Sequence, residues 1–271
     1  MGITRTRPPD WLTVNSSNHR TAEWITPQCQ LPPGIHALTT CREGGVSKPP
    51  WSALNLALHV GDDPAAVLRN RQILIEAARL PAEPVWLNQQ HGKRVARAER
   101  ATPATRYDAD ACFTDQPNQV CAVLTADCLP LLICDIEGNE LAAIHAGWRG
   151  LAAGIIAETL GSFTQSSHRL LAWIGPAISA PHYAVDATMR DRFLSLDQDY
   201  EKSFTATTKK GARHQWLMDL AAIASLQLKK AGVERITRSG VCCYANPRFY
   251  SHRRDPGTGR MATLIWRTCV T

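Results

Sequence analysis

Residues 120–150 read VCAVLTADCLPLLICDIEGNELAAIHAGWRG, and the fold is decided there. Apolar runs at 120–124 and 129–134 flank Thr125-Ala126-Asp127-Cys128, and a third at 141–144 leads into His145 and the turn Ala146-Gly147-Trp148-Arg149-Gly150. Short runs rich in Val, Leu and Ile, bounded by turn residues, read as buried strands. The link at 135–140 contains Gly138-Asn139, which supplies the positive φ of a tight hairpin. Antiparallel pairing therefore enters, and a mixed sheet is expected. Cys128 and His145 then stand at the ends of neighbouring strands, beside small-residue turns, where open α/β sheets usually carry their chemistry.

Working outward, residues 24–25 and 35–39 read as short strands. Asp63-Pro64 starts a helix that Val67, Leu68, Ile75 and Ala78 sustain to Arg79, with an N-cap followed by proline at the first position. Residues 85–87 read as a strand running into the polar knot Asn88-Gln89-Gln90-His91-Gly92-Lys93, and strands are expected again at 94–98 and 109–114. On the other side, the pattern predicts a helix at 151–163, a strand at 170–174, a helix at 186–196 and a polar insert at 197–214. The apolar spacing of Leu217, Leu220, Ala224 and Leu228 predicts an amphipathic helix over 216–230. Strands at 233–236 and 261–266 close the chain. Residues 1–18 are polar and proline-containing, a loosely attached arm. No repeat or linker divides residues 19–271, which read as one domain.

An apolar fraction of 44% with 20% charged residues is that of an ordinary folded protein, not a disordered one. The net charge of +6 comes without a long basic block, so it suits a small anionic ligand at least as well as nucleic acid, and no nucleic-acid-binding motif appears. No segment approaches the roughly 20 apolar residues of a membrane span, and no signal peptide is apparent. The nine cysteines are an odd number, several in strand-like runs and none in a CxxC pair. Reduced thiols in the cytoplasm are expected, and a zinc finger is not.

The residues that could carry chemistry are His91, Cys128 and His145, each ending an apolar run beside small or polar residues. Two imidazoles and a thiolate form a three-ligand zinc set that leaves a fourth position open. The same atoms without metal could act as a Cys128 nucleophile with His145 or His91 as base, and the plainest alternative is a buried strand cysteine with two hydrogen-bonded histidines. Asp127 could line the same pocket if the chain bends before Pro130; otherwise it ties down the turn. Arg42 beside Gly44-Gly45, Arg149 after Gly147-Trp148, and Arg253-Arg254 could hold an anion, since guanidinium forks match phosphate oxygens.

The blocks CREGGVSKPPWSALNLALHVGDD, NQQHGKRV, DADACFTD, LTADCLPLLICD, AAIHAGWRG, IGPAIS and FYSHRRDPGTGRMA together resemble the bacterial laccase-domain family, also called the polyphenol oxidase or peptidoglycan editing factor family. The resemblance implies an α+β fold, a three-layer α/β/α sandwich with a mixed sheet. It implies zinc on His91, Cys128 and His145, with copper as the alternative metal. The implied activity is phosphorolysis of adenosine, inosine and methylthioadenosine, with adenosine deamination besides. The family has also been assigned amide cleavage that removes L-serine from UDP-MurNAc-L-serine, and copper-dependent phenol oxidation; nine scattered histidines suit the latter poorly. On this reading His91, Cys128, His145 and Asp127 are catalytic, and Arg42, Asn55 and Arg253 contact a nucleoside or phosphate. No obligate protein partner, nucleic acid or membrane is expected. Cys41, where Ser is more usual, and Cys243, where Thr often stands, depart from the family pattern near the pocket.

Overall fold

The computed structural model describes residues 22–98, 107–207 and 216–269. The expected arm at 1–18 and residues 208–214 of the expected polar insert lie outside them. In chain order the elements begin with β1 (Trp24–Ile25), β2 (Ile35–Thr40), α1 (Pro64–Ala78), β3 (Val95–Arg97) and β4 (Ala111–Thr114). The central stretch supplies β5 (Val120–Thr125), β6 (Leu129–Asp135) and β7 (Leu141–Ala146), followed by α2 (Trp148–Ala153), α3 (Ile155–Leu160) and β8 (Leu170–Ile174). Then come β9 (Ala184–Val185), α4 (Ala187–Leu196), β10 (Phe204–Ala206), β11 (Trp216–Met218), α5 (Leu220–Lys230), β12 (Arg235–Arg238) and β13 (Met261–Arg267).

The three strands of the central stretch do not share one sheet. β5 is the edge of an antiparallel four-stranded sheet ordered β1-β2-β13-β5, whereas β6 and β7 are the centre of a six-stranded sheet ordered β12-β8-β6-β7-β4-β3. The larger sheet is mixed: β12/β8 and β3/β4 are parallel and the pairs between them antiparallel. Ala126-Asp127-Cys128 is therefore the crossing from one sheet to the other.

Every residue of β5, β6 and β7 is buried, and alternation along each strand decides what covers it. Leu129, Leu131 and Ile133 of β6 and Ala142 and Ile144 of β7 pack against Leu151, Ile155 and Leu228 of the helices, while Leu132, Cys134 and Ala143 meet Cys121, Val123 and Ile265 of the smaller sheet. The far face of that sheet, with Leu38, Ala122 and Leu264, packs on Leu74 of α1. Each fully buried Leu or Ile contributes roughly 1.5–3 kcal/mol by leaving water, so strands covered on both faces carry the core. The class is α+β with helices outside and strands inside, as expected; the β layer is double.

Local chemistry explains where elements begin and break. The Asp63 side chain accepts from the Ala65 N–H, Pro64 opens α1, and Arg79 ends it in the left-handed region at φ 50°. The helix expected over 151–163 is two short ones, α2 and α3, because Gly154 between them adopts φ 87°. The helix expected over 216–230 begins only at Leu220. Trp216–Met218 pairs as a strand with β10 and β9, and Asp219 caps the helix by accepting from the Ala222 N–H. The polar insert contains a 3-10 turn (Gln198–Ser203) and β10 within its described part. Residues 85–87 make isolated bridges only. Among the described residues no helix is long and apolar enough to cross a membrane.

Candidate metal centre

The register of β6 on β7 brings the first two donors together. Leu129 pairs with Ala146 and Pro130 with His145, so Cys128 stands opposite Gly147. A Cβ on Gly147 would lie 3.0 Å from Cys128 Sγ and 3.6 Å from both His145 Nε2 and His91 Cδ2. Glycine is thus the residue that leaves these three side chains room to converge. Their donor atoms all lie within 4.8 Å of one another, close to the spacing of about 3.5 Å that a tetrahedral ion with bonds of about 2.0–2.3 Å imposes.

His91 reaches the centre from a turn in which it adopts φ 58°, a conformation that costs a non-glycine residue energy unless its surroundings impose it. Asp110 imposes it. The buried Asp110 carboxylate accepts from the backbone N–H groups of Gln90 (3.1 Å), His91 (2.8 Å) and Gly92 (2.7 Å). The same carboxylate bonds His145 Nδ1 at 2.8 Å, which leaves Nε2 facing Cys128 and His91. One carboxylate outside the donor set therefore orients both imidazoles, as outer carboxylates do at histidine metal sites.

Electrostatics favours a thiolate here. Burial is the largest influence on Cys128 and pushes its thiol up, but the charge of His145 and hydrogen bonds from His145 and His91 outweigh it and bring the pKa down to about 6. For His145 burial works downward first, and the Cys128 charge with the Asp110 hydrogen bond carries its pKa up to about 9. A soft anionic sulfur and two oriented imidazoles suit zinc, and Cu(I) among copper states. A second group of donors, Glu23, Cys41 and Glu43, suits a metal less well. Burial pushes the Cys41 thiol up to about 12, and Arg248 already pairs with Glu23.

The remaining expected site residues divide. Asp127 adopts φ 92°, and its Oδ2 accepts the Arg253 N–H at 2.6 Å, while Oδ1 is buried with no partner among the described residues. Asp127 thereby carries Arg253 to the rim, where that guanidinium lies 5.1 Å from the Tyr183 ring and donates to the Ala184 carbonyl. Burial raises the Tyr183 pKa first, and the neighbouring Cys128 charge raises it further, so this phenol stays in its neutral form. Arg42 donates to the Ser52 carbonyl and lies over the Tyr250 ring. Arg254 clamps its own loop through the carbonyls of Cys243, Tyr244 and Phe249. Asn55 is fully buried: it donates to the Ala57 carbonyl and Asp62 and accepts from the N–H groups of Ala57 and Arg260. Sequence reading missed Asp110, whose signal is an acid inside the apolar run DADACF, and Tyr183, which has none.

A family described as multi-copper polyphenol oxidoreductase laccase matches residues 36–268. A Shigella flexneri relative named purine nucleoside phosphorylase YfiH is 44% identical over 243 residues, which cover 89% of this chain and 98% of the relative. An Escherichia coli relative of the same name is 43% identical with the same coverage. A crystal structure of a Neisseria meningitidis protein superposes with a TM-score of 0.84 at 40% identity, covering 91% of this chain and 99% of that one.

Proposed function

The chain belongs to the polyphenol oxidoreductase laccase family, and from that premise we propose that it is a zinc-dependent purine nucleoside phosphorylase acting on adenosine, inosine and methylthioadenosine, with adenosine deamination as a second activity. The observation that carries the reading is the convergence of His91, Cys128 and His145 on one point, in a chain whose relatives bear the phosphorylase name over nearly their whole length. Three protein donors leave one position for a ligand, the arrangement of a catalytic rather than a structural site.

In phosphorolysis a phosphate oxygen forms a bond to the ribose C1′ as the bond from C1′ to the purine nitrogen breaks. The electron pair leaves with the purine, which takes up a proton. Zinc held by His91, Cys128 and His145 would supply Lewis acidity to this step. The chain's own residues do the rest: Asp110 holds the histidines, Tyr183 offers a neutral hydroxyl and an aromatic face to the nucleoside, and Arg253 over that ring supplies a positive charge at the rim. Asp127 sets the position of Arg253. Asn55 acts indirectly through the backbone of Arg260, and Arg42 through the packing of Tyr250. Positioning of this kind lowers a bimolecular barrier by several kcal/mol, on the order of 7 or more in well-oriented cases.

Copper remains the alternative metal for the same donors, but multi-copper phenol oxidation requires clustered histidines, and among the described residues only His91 and His145 share a donor group. All nine cysteines are free thiols, which suits the reducing cytoplasm. The test is product analysis of zinc-loaded protein with adenosine, with and without phosphate. Phosphate-dependent adenine with ribose 1-phosphate is the expected result; free L-serine from UDP-MurNAc-L-serine with no purine product would replace the proposal with an amidase.

A further inference from the structure

The start of β13 lies against the sheet crossing. Met261 pairs with Thr125, two residues before Asp127, so Arg260 flanks the segment that carries Cys128. Its guanidinium is held on one side only: Nη1 donates to the carbonyls of Thr258 (2.7 Å) and Gly259 (3.1 Å). The Arg260 N–H is fixed by Asn55 Oδ1 at 3.0 Å. Among the described residues Nε and Nη2 donate to nothing, and no carboxylate pairs with Arg260. Those two nitrogens form the side-on edge of the guanidinium, the fork that takes two oxygens of a carboxylate or phosphate.

No side-chain ion pair neutralises Arg260 among the described residues. Burial is the main influence on Arg260 and disfavours its charge; the charges opposing it are Cys128 and Asp127, which places the guanidinium within the field of the metal centre. Burial is the main influence that lowers the His59 pKa, and the charges of Arg260 and Arg71 lower it further. Asp62, the acid nearest His59 in sequence, is engaged elsewhere, with Oδ2 accepting from Ser47 and Asn55 and Oδ1 from the Asp63 N–H. Two buried hydroxyls at the same corner, Thr125 Oγ1 and Thr258 Oγ1, lack partners among the described residues. A guanidinium fork left free beside orphaned buried hydroxyls is built to receive an anion.

We propose that Arg260 and His59 form the phosphate pocket, in which a phosphate lies on the free Nε/Nη2 edge of Arg260 against the His59 ring, on the β13 side of His91, Cys128 and His145. The nucleoside then takes the opposite side, against Tyr183 and Arg253. This assignment rests on the phosphorylase reading. It sets the two substrates on either side of the donor set, so that the attacking oxygen and the purine approach the ribose from different walls.

The experiment is calorimetric titration of inorganic phosphate into zinc-loaded wild-type protein, Arg260→Gln and His59→Gln, followed by phosphorolysis at varied phosphate and saturating nucleoside. The expected result is a phosphate dissociation constant raised about tenfold or more in Arg260→Gln and by a smaller factor in His59→Gln. The phosphate KM rises in step, and the nucleoside KM stays within about twofold of wild type. His59 makes no hydrogen bond among the described residues, so its variant reads the pocket even if loss of the Nη1 clamp unfolds Arg260→Gln. Wild-type phosphate affinity in His59→Gln and in a folded, metal-loaded Arg260→Gln overturns the proposal. Absence of phosphate-dependent purine release from the wild type would overturn the phosphorylase reading instead, and the titration would still decide whether phosphate depends on these two residues.

Discussion

The hairpin of β6 and β7 has two ends, and they treat buried polar groups in opposite ways. At the turn, Asp135 and Glu140 are buried carboxylates with their oxygens occupied: Asp135 accepts from the N–H groups of Glu137 and Glu140, and Glu140 from Thr164 and Gln165. At the other end, beside Cys128 and His145, Thr125 Oγ1 and Asp127 Oδ1 are buried without partners among the described residues, and His91 and Asp127 hold positive φ. The strands are the same and equally buried. The difference shows which end the fold uses to hold itself and which it keeps open for a ligand, because a buried polar group left unpaired costs about 1–3 kcal/mol unless something else satisfies it.

The sharpest way to break this contrast is to remove the metal. Dialysis against a chelator is expected to lower turnover by more than about a hundredfold, with zinc restoring it, since a catalytic metal contributes several kcal/mol to its transition state. Asp110→Asn comes next: it removes the carboxylate that orients both histidines, and zinc affinity measured by competition is expected to fall by about 10–100-fold. Retention of wild-type affinity in that variant would mean that the two imidazoles are positioned without Asp110.

At the closed end, Asp135→Ala is expected to lower unfolding free energy by about 1–3 kcal/mol through the N–H groups of Glu137 and Glu140 that it strands. Zinc content should stay at the wild-type value, and a fall in zinc would show that the two ends are coupled. The smallest effect is expected on the surface. Lys230 pairs with Asp197 and Asp199 in exposed positions, where ion pairs contribute little, so Lys230→Met should leave both the melting midpoint and the zinc content within error.

Much of this contrast is legible in the sequence because period-two alternation and turn chemistry act locally. The apolar runs and Gly138-Asn139 predict the hairpin, and the hairpin alone sets Cys128 beside His145. What the sequence hides is tertiary. The split between two sheets at Ala126-Asp127-Cys128 changes neither composition nor period, and Gly154 reads as a tolerable helix residue until its φ is known. Trp216–Met218 shares the apolar spacing of the helix after it, and only strand partners far along the chain make it a strand. Among the site residues, Asp110 acts through three backbone N–H groups of a distant turn, which residue type cannot announce. Asn55 is the converse: a polar residue in a motif-rich loop, expected at the substrate, whose hydrogen-bonding groups all engage the protein.

The most direct test of the account is zinc stoichiometry by mass spectrometry, measured with phosphate-dependent purine release on the same preparations, for wild type and Cys128→Ala. One zinc per chain with turnover in the wild type, and neither in a folded Cys128→Ala, is the predicted result. A Cys128→Ala protein that keeps its zinc, or that turns over without it, would contradict the assignment of this end of the hairpin as the metal centre.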